Sequence, residues 1–276
     1  DFCLSRGLGD VYKRQLEIYT RVEVAWSLTF GAMALLFVVF AVYHLRVLPH
    51  PQSDKVGTVA VAVIWREFVE TFVSFFRKPG IGIALLFLLT YRLAEAQLVK
   101  LASLFLLDEG TDGGLALTTA QVGFVYGTVG VIALTVGGIV GGWAVSRYGL
   151  RRCLWPMALA LTLPNLVYLY LSLVQPSCMI VVNVCVAVEQ LGYGFGFTAY
   201  MLYMIAFSEG KHATAHYALC TAFMALGMML PGMVAGWIAD HMGYVLFFIW
   251  IMICTVPVFI CLLYTSPSPR DRQKSR

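Results

Sequence analysis

Long apolar stretches recur along almost the whole chain and constrain its fold more than any other feature. A helix needs about 20 predominantly apolar residues to cross a hydrocarbon core of about 30 Å. Seven stretches meet this requirement, and we predict spans at residues 24–45, 81–107, 120–145, 153–174, 178–207, 215–238 and 245–263. The predicted fold class is therefore all-α, a polytopic membrane helix bundle.

The composition supports this prediction. Of the 276 residues, 60% are hydrophobic and 12% are charged, whereas a soluble domain is about half apolar and about a quarter charged. The apolar content also argues against a disordered chain. Seven Cys are scattered without the spacing of a metal site or a secreted disulfide framework. We predict no metal site and no cofactor.

The charges between the spans predict an orientation. The loop at 46–80 is rich in Lys and Arg, the loop at 108–119 carries three acidic residues and no basic one, and the next loop carries Arg147, Arg151 and Arg152. Basic loops stay in the cytoplasm. We therefore expect the Arg147 loop and the Lys211 loop inside, and the acidic loop and the Asp240 loop outside.

The two ends of the chain differ from its middle. Residues 1–15 and 264–276 are polar and basic and resemble translated sequencing-adapter peptides, so we exclude them from the fold prediction. They also carry the whole formal net charge of +4, since residues 16–263 contain twelve basic and twelve acidic residues. A neutral membrane body predicts a lipid bilayer as partner and no nucleic acid.

The long basic loop has an amphipathic pattern of its own. Trp65, Phe68 and Phe72 recur at helical spacing while Arg66 and Glu70 take the other side, and Pro79-Gly80 follows. This pattern predicts a helix that lies in the membrane interface and ends before Pro79. A connector packed beneath the bundle would give the same pattern, and the sequence leaves both interpretations open.

Three ionisable residues interrupt the second predicted span. Arg92 and Glu95 are three residues apart, so they share a helical face and can pair. An ion at mid-membrane costs about 2.5–3.5 kcal/mol, which predicts that both face the bundle interior or a watery cavity. Lys100 lies nearer the outer end, where it either lines the same path or reaches the headgroups as an anchor.

The fifth predicted span carries one acidic residue. Glu189 lies near its centre beside Gln190, and that span contains no cation. A carboxylate held in a low dielectric is suited to bind and release a proton. A structural partnership with Arg92 or Lys100 on another helix is the alternative interpretation.

Motifs of soluble enzymes are missing from the sequence. The glycines from Gly192 to Gly196 lack the Lys of a phosphate-binding loop, and within a span they favour close helix contact. His212, His216 and His241 near the predicted span ends raise the alternative of a membrane-embedded transferase. That alternative needs paired carboxylates or a His-x4-Asp box, which the sequence lacks, so we predict no catalytic residue.

The loop after the third predicted span carries a family resemblance. Gly142-Trp-Ala-Val-Ser-Arg-Tyr-Gly-Leu-Arg-Arg152 resembles the cytoplasmic loop signature of the major facilitator superfamily, Gly-x-x-x-Asp-Arg-x-Gly-Arg-Arg. The positions that carry the resemblance are Gly142, Ser146, Arg147, Gly149, Arg151 and Arg152. Ser146 stands where the signature has Asp and Leu150 where it has Arg, which puts the usual charge relay of this gating loop in question.

A more specific likeness extends over residues 24–262. The block from His216 to Trp237, the following Gly243 to Phe248, and the short runs Tyr91 to Glu95 and Phe105 to Asp108 resemble the AmpG-type muropeptide permeases and their acetyl-CoA transporter relatives. The resemblance implies twelve spans in two halves. Residues 16–45 would then be the last helix of the first half, 46–80 a cytoplasmic linker, and 81–263 the second half.

The same resemblance implies a function. It predicts a proton-coupled transporter in the bacterial inner membrane that imports muropeptides for cell-wall recycling by alternating access. Its pathway residues would be Tyr91, Arg92, Glu95, Lys100, Glu189 and Gln190. A transporter of another solute, such as acetyl-CoA, is the alternative. The chain would be an incomplete fragment that does not transport without the missing N-terminal half.

Overall fold

The computed structural model describes residues 2–48 and 61–265, and every described element is helical. The helices are α1 (Phe2–Val47), α2 (Val61–Phe76), α3 (Ile81–Thr90), α4 (Leu93–Leu107), α5 (Thr119–Phe124), α6 (Val131–Tyr148), α7 (Leu150–Thr162), α8 (Leu166–Val174), α9 (Met179–Ser208), α10 (Ala213–Ile253) and α11 (Val256–Thr265). A π-helical segment, Val125–Gly130, joins α5 to α6.

Six helical segments among the described residues are long and apolar enough to cross a membrane. They are Trp26–Val47, Ile81–Leu107, Thr119–Tyr148, Leu150–Val174, Met179–Ser208 and Ala213–Leu263. The difference from the seven predicted spans lies in the last segment, which has 51 residues. Gly243 interrupts it with φ 74° and ψ 165°, at the place where the sequence predicts separate sixth and seventh spans.

The chain divides into two compact units, Asp1–Val61 and Ala62–Arg276. The first contains α1, which begins at Phe2 and so extends the predicted helix at 16–45 toward the N-terminus. The second contains the helices from α2 onward. The predicted adapter-like character of residues 1–15 and 264–276 stays a prediction, and residues 266–276 lie outside the described part of the chain.

Glycines bring α9 close to its neighbours in the second unit. A Cβ on Gly194 would lie 2.2 Å from the carbonyl oxygen of Leu134 in α6, and one on Gly192 would lie 2.1 Å from that of Ala160 in α7. Such distances are far inside van der Waals contact, so only glycine fits at both positions. The glycine-rich run of α9 therefore serves close helix packing, as its place in a span predicts.

The predicted amphipathic helix is α2, and it ends before Pro79 as expected. One side packs on the turn between α9 and α10, where Ser74 Oγ lies 2.9 Å from His216 Nε2 and Phe75 is fully buried. On the other side the rings of Trp65, Phe68, Phe72 and Phe76 follow one another and are exposed. The packed face agrees with the connector interpretation, and the location of the exposed face in the membrane interface stays a prediction.

Polar contacts complete the docking of α2. Lys211 Nζ donates a hydrogen bond to Glu70 Oε1 at 3.3 Å. This hydrogen bond and the positive charge of Lys211 lower the pKa of Glu70, so the contact persists somewhat below the range in which a glutamate normally titrates. Lys78 Nζ donates to the carbonyl oxygens of Phe207 and Glu209 at 2.6 and 2.9 Å, which places a cation at the C-terminus of α9.

Candidate functional site

The second membrane segment is broken where its ionisable residues begin. Arg92 has φ −109° and ψ 18°, outside helical values, so α3 ends at Thr90 and α4 begins at Leu93. Backbone irregularity at membrane depth is tolerated where it is buried in protein or lines a cavity. The break therefore marks this level of the bundle as a candidate site.

A cavity of about 640 Å³ opens beside the break. Its polar lining consists of Arg92, Glu95, Glu189, Gln190, Ser103 and three tyrosines, Tyr126, Tyr168 and Tyr193. Arg92, Glu95 and Glu189 are 6%, 2% and 3% exposed. Four of the six predicted pathway residues are thus brought to one cavity by α4 and α9.

Arg92 is held by neighbours other than the predicted one. One guanidinium nitrogen donates to the hydroxyl of Tyr193 at 2.5 Å and the other to the sulfur of Met228 at 2.7 Å. The guanidinium also lies over the rings of Tyr193 and Phe197, 5.2 and 4.9 Å from their centroids, a favourable cation–π arrangement. The predicted pairing with Glu95 is wrong, since the ion pairs among the described residues involve Glu70 with Lys211 and His212.

Glu95 is buried on the cavity wall without a hydrogen-bond partner. Neither of its carboxylate oxygens meets a donor among the described residues, and the same holds for Nε of Arg92. A buried polar group without a partner costs about 1–3 kcal/mol, more when it is charged. Donors of a bound molecule, or a proton, can supply the missing contact.

Glu189, unlike Glu95, has hydrogen-bond donors around its carboxylate. Its Oε2 accepts a hydrogen bond from Gln190 at 2.9 Å and one from the hydroxyl of Tyr168 at 3.5 Å. The hydroxyl of Tyr168 in turn lies 2.6 Å from that of Tyr126. Neither Arg92 nor Lys100 is among these partners. The interpretation of Glu189 as an interhelical ion-pair partner is therefore wrong for this arrangement, and its partners form a chain of hydroxyl groups.

Two predicted pathway residues lie outside this cavity. Tyr91 is fully buried, and its hydroxyl donates to the carbonyl oxygen of Gly196 at 2.9 Å while its ring stacks on Tyr200 at 5.0 Å. Tyr91 thus fixes α3 against α9 beside the break. Lys100 lines an adjoining cavity of about 570 Å³, which shares Val99 and Met228 with the first.

The predicted gating loop lies at the other end of α6. Gly149 has φ 80° and ψ 148°, which requires glycine and makes the sharp junction between α6 and α7. The hydroxyl of Ser146 donates to the carbonyl oxygen of Trp143 at 2.8 Å, so it bonds its own helix. Arg147, Arg151 and Arg152 are exposed and Gly142 is half-buried. The loop keeps its turn and its basic residues without a charge relay through Ser146.

Tyr126, Tyr168, Tyr193 and Met228 line the cavity without having been predicted as site residues. Tyr193 follows Glu189 by four residues in α9, so helical spacing places both side chains on one face. That spacing could have identified it. Tyr126 and Tyr168 carry no comparable signal, because uncharged tyrosines are frequent along this chain and their meeting depends on the packing of three helices.

Comparison with known proteins gives the family. The sequence model described as Major Facilitator Superfamily matches residues 18–216 and, in a second overlapping match, residues 115–276. Together these matches cover nearly the whole chain. The chain belongs to the Major Facilitator Superfamily. It is a multi-pass membrane protein with a partial facilitator fold, as the resemblance predicts.

Individual relatives carry the more specific likeness. An Escherichia coli K12 protein named anhydromuropeptide permease is 27% identical over 190 residues, which cover 69% of this chain and 38% of that protein. A Rickettsia typhi protein named as an AmpG 2 transporter is 24% identical over 247 residues, 90% of this chain and 58% of its own. A Rickettsia conorii protein named as an AmpG 4 transporter is 25% identical over 240 residues, 87% of this chain and 56% of its own. The chain spans little more than half the length of these two Rickettsia relatives.

Proposed function

We propose that the protein to which this chain contributes is a proton-coupled secondary transporter that imports muropeptides across the bacterial inner membrane by alternating access. One observation carries the proposal. Arg92, Glu95 and Glu189 are buried in a membrane helix bundle and line a single cavity. Ionisable groups are costly at this depth and mark solute or ion pathways.

The carboxylate of Glu189 supports the proton-coupled part. Tyr168 and Gln190 donate to it, and the Tyr126 hydroxyl extends the chain. A carboxylate at the end of a hydroxyl chain can take up and release a proton while its other contacts remain in place. Glu95 faces the same cavity without a donor, so a change of charge at either group alters the field at the other.

The solute class comes from the relatives. The Escherichia coli relative is named a permease for anhydromuropeptides, and its likeness to this chain supports the same class here. A cavity of about 640 Å³ with polar and aromatic walls suits a solute of that kind.

Membership of the family supports a proposal for the domain arrangement. We propose that residues 16–45 contribute the last helix of the first half, 46–80 the cytoplasmic linker, and 81–263 the second half. Substrate sites of facilitators lie near the midplane between two halves. The cavity beside α4 and α9 would then complete its walls with helices of the first half, and its cytoplasmic gate would include the loop from Gly142 to Arg152.

Replacing either cavity carboxylate tests the proposal. The complete reading frame that contains this chain is expressed in bacterial cells without their own anhydromuropeptide permease, and uptake of radiolabelled anhydromuropeptide is measured. We expect Glu95→Gln and Glu189→Gln each to lower the gradient-driven initial rate at least tenfold, since the amide can no longer exchange a proton. A protonophore should lower the wild-type rate to the same level.

Glu209→Gln is the matched control. Glu209 is an exposed carboxylate in the turn between α9 and α10, away from the cavity lining. Its uptake rate should equal that of the wild type at equal membrane expression. Wild-type rates in both Glu95→Gln and Glu189→Gln would refute the proposal.

A further inference from the structure

Two unpaired groups of opposite charge lie on one helix, α4. Glu95 is 2% exposed and both its oxygens lack a donor among the described residues. Lys100, five residues later, is exposed and makes no hydrogen bond or ion pair within the described residues. Both lie within the membrane segment Ile81–Leu107, where an unpaired charge is expected to face a cavity and to meet a partner there.

The packing of α10 leaves room for Lys100. A Cβ on Gly232 would lie 3.4 Å from Cε and 3.5 Å from Cγ of Lys100, so the lysine stem runs along α10 where that helix has no side chain. The remaining wall of this cavity is apolar, with Met229 and Met233 among its lining residues. Methionine side chains adapt to different shapes, so the ammonium group is the specific polar contact of this wall.

The two charged residues border adjoining cavities. The cavity at Glu95 and the cavity at Lys100 share Val99 and Met228 as lining residues. Five residues of α-helix rise about 7.5 Å along the axis and turn by about 140°, so the two Cβ atoms are separated by about 10 Å, close to the length of three extended peptide residues. A short peptide segment can therefore place one end at each charge.

Arg92 does not satisfy Glu95 in place of a ligand. Its guanidinium is held by Tyr193 and Met228 and lies over two aromatic rings. Its guanidinium is held beside these rings, and both oxygens of Glu95 are buried without a donor among the described residues. The arrangement leaves one anionic and one cationic contact for the solute.

We propose that Glu95 and Lys100 are two recognition subsites for one solute that carries both charges, with an amine bound at Glu95 and a carboxylate bound at Lys100. The proposal rests on the proposed function and narrows it. This half of the protein recognises the stem peptide of a muropeptide, and the apolar surface of Val99 and Met228 contacts the segment between the two charged groups.

Equilibrium binding tests the proposal without depending on transport. The complete protein is purified into lipid nanodiscs, and Kd is measured for three radiolabelled solutes. These are an anhydromuropeptide with a free stem-peptide amine and carboxylate, the same solute with the amine acetylated, and the same solute with its carboxylates amidated. In the wild type each modification should weaken binding about tenfold.

The variants assign each contact. Lys100→Met should raise Kd about tenfold for the unmodified solute and leave Kd of the amidated solute unchanged, because the contact it removes is already missing there. Glu95→Gln should raise Kd about tenfold for the unmodified solute and leave Kd of the acetylated solute unchanged. Lys100→Arg should retain most of the affinity, and Lys211→Met, a lysine change on an exposed turn, should bind like the wild type.

Several outcomes would overturn the proposal. An unchanged Kd in Lys100→Met, or an equal loss for unmodified and amidated solutes, would show that Lys100 pairs within the protein or supports its structure. Wild-type binding that ignores acetylation and amidation would refute the two subsites and leave muropeptide transport standing. Absence of wild-type binding to all three solutes would refute the proposed function itself.

Discussion

Gly137 and Gly138 are neighbours in α6 with entirely different surroundings. A Cβ on Gly137 would lie 2.2 Å from the carbonyl oxygen of Leu191 and 3.0 Å from the backbone nitrogen of Phe195, whereas one on Gly138 would meet nothing within 4 Å. The close approach of α6 and α9 therefore depends on the absence of one particular methyl group. This contact fixes α9, and with it Glu189, relative to the cavity.

Gly137→Ala should destabilise the bundle, because backbone atoms of α9 cannot yield as a flexible side chain would. Overpacking of this kind costs about 1–3 kcal/mol. Gly138→Ala should be neutral or slightly stabilising, since alanine is the better helix former by up to about 1 kcal/mol. Unfolding in mixed detergent micelles gives the free energy of unfolding for both variants. Equal values for the two would contradict the packing described for α6 and α9.

Site residues could be predicted best from the sequence where burial of the side chain is costly. Arg92, Glu95 and Glu189 stand out in apolar spans because their charge must face a cavity or a partner, and the structure brings all three to one cavity. Their partners could not be predicted in the same way. Arg92 finds Tyr193 and Met228, and both contacts arise from packing between distant segments.

The buried face of α2 depends on Phe75. Its ring is fully buried and packs against the rings of Phe207, His216 and Phe223 at centroid distances of 6.0, 5.6 and 6.2 Å. Phe72, three residues earlier, is 42% exposed. The same residue type thus occurs on both faces of one helix, which provides a matched pair.

Phe75→Ala should detach α2 from the turn between α9 and α10. Loss of a buried phenylalanine costs about 3–5 kcal/mol, so amide hydrogen exchange in α2 should accelerate at least a hundredfold. Phe72→Ala should change exchange in α2 far less, because the ring of Phe72 is partly exposed and its removal takes away less packed surface. Similar acceleration in both variants would show that α2 is not anchored by Phe75.

Local signals predicted element boundaries where they involve caps and turns. The pattern Thr118-x-x-Gln121 predicts a capping box, and both of its backbone hydrogen bonds are present. Gly80 separates α2 from α3 with φ 77°. The break at Arg92 was not predicted, because the surrounding residues favour a continuous helix and the interruption depends on tertiary contacts.

The packing stripe of the third membrane segment shows why regular spacing can mislead. Gly137 and Gly141 are buried in α6, whereas their neighbours Gly138 and Gly142, which have the same spacing of four residues, are not. Buried positions run through Val122 and Val125 and resume only at Gly130, within the π-helical segment. An interval of five residues replaces the usual three or four, so every later position on the stripe is displaced by about one residue.

At the scale of the whole molecule, this chain alone is expected to be inactive in uptake. Alternating access needs two halves that move around a midplane site, and the chain covers 58% of its Rickettsia typhi relative. Cells that express residues 1–276 should take up labelled anhydromuropeptide no faster than cells without it, whereas the complete reading frame should restore uptake. Uptake by the chain alone, at matched membrane levels, would contradict the proposed domain arrangement.

The fold class could be predicted from the sequence because membrane spans depend on length and hydropathy alone. The count of spans was less certain. Asp240 to Gly243 predicts a loop, but the structure continues the helix up to Gly243 and turns there. The interruption is limited to Gly243, so the structure has one long helical segment where the sequence predicts two spans.

The π-helical segment Val125–Gly130 has one further consequence, which concerns rotation about the helix axis. It contains Tyr126, which faces the cavity, and it ends before Gly137, which faces α9. One residue of an α-helix corresponds to about 100° of turn. Converting this segment to α-helix would therefore twist the two ends of the membrane segment against each other by that amount. The six residues of the π-helical segment thus determine the direction in which Tyr126 points toward the hydroxyl chain relative to the direction in which Gly137 faces α9.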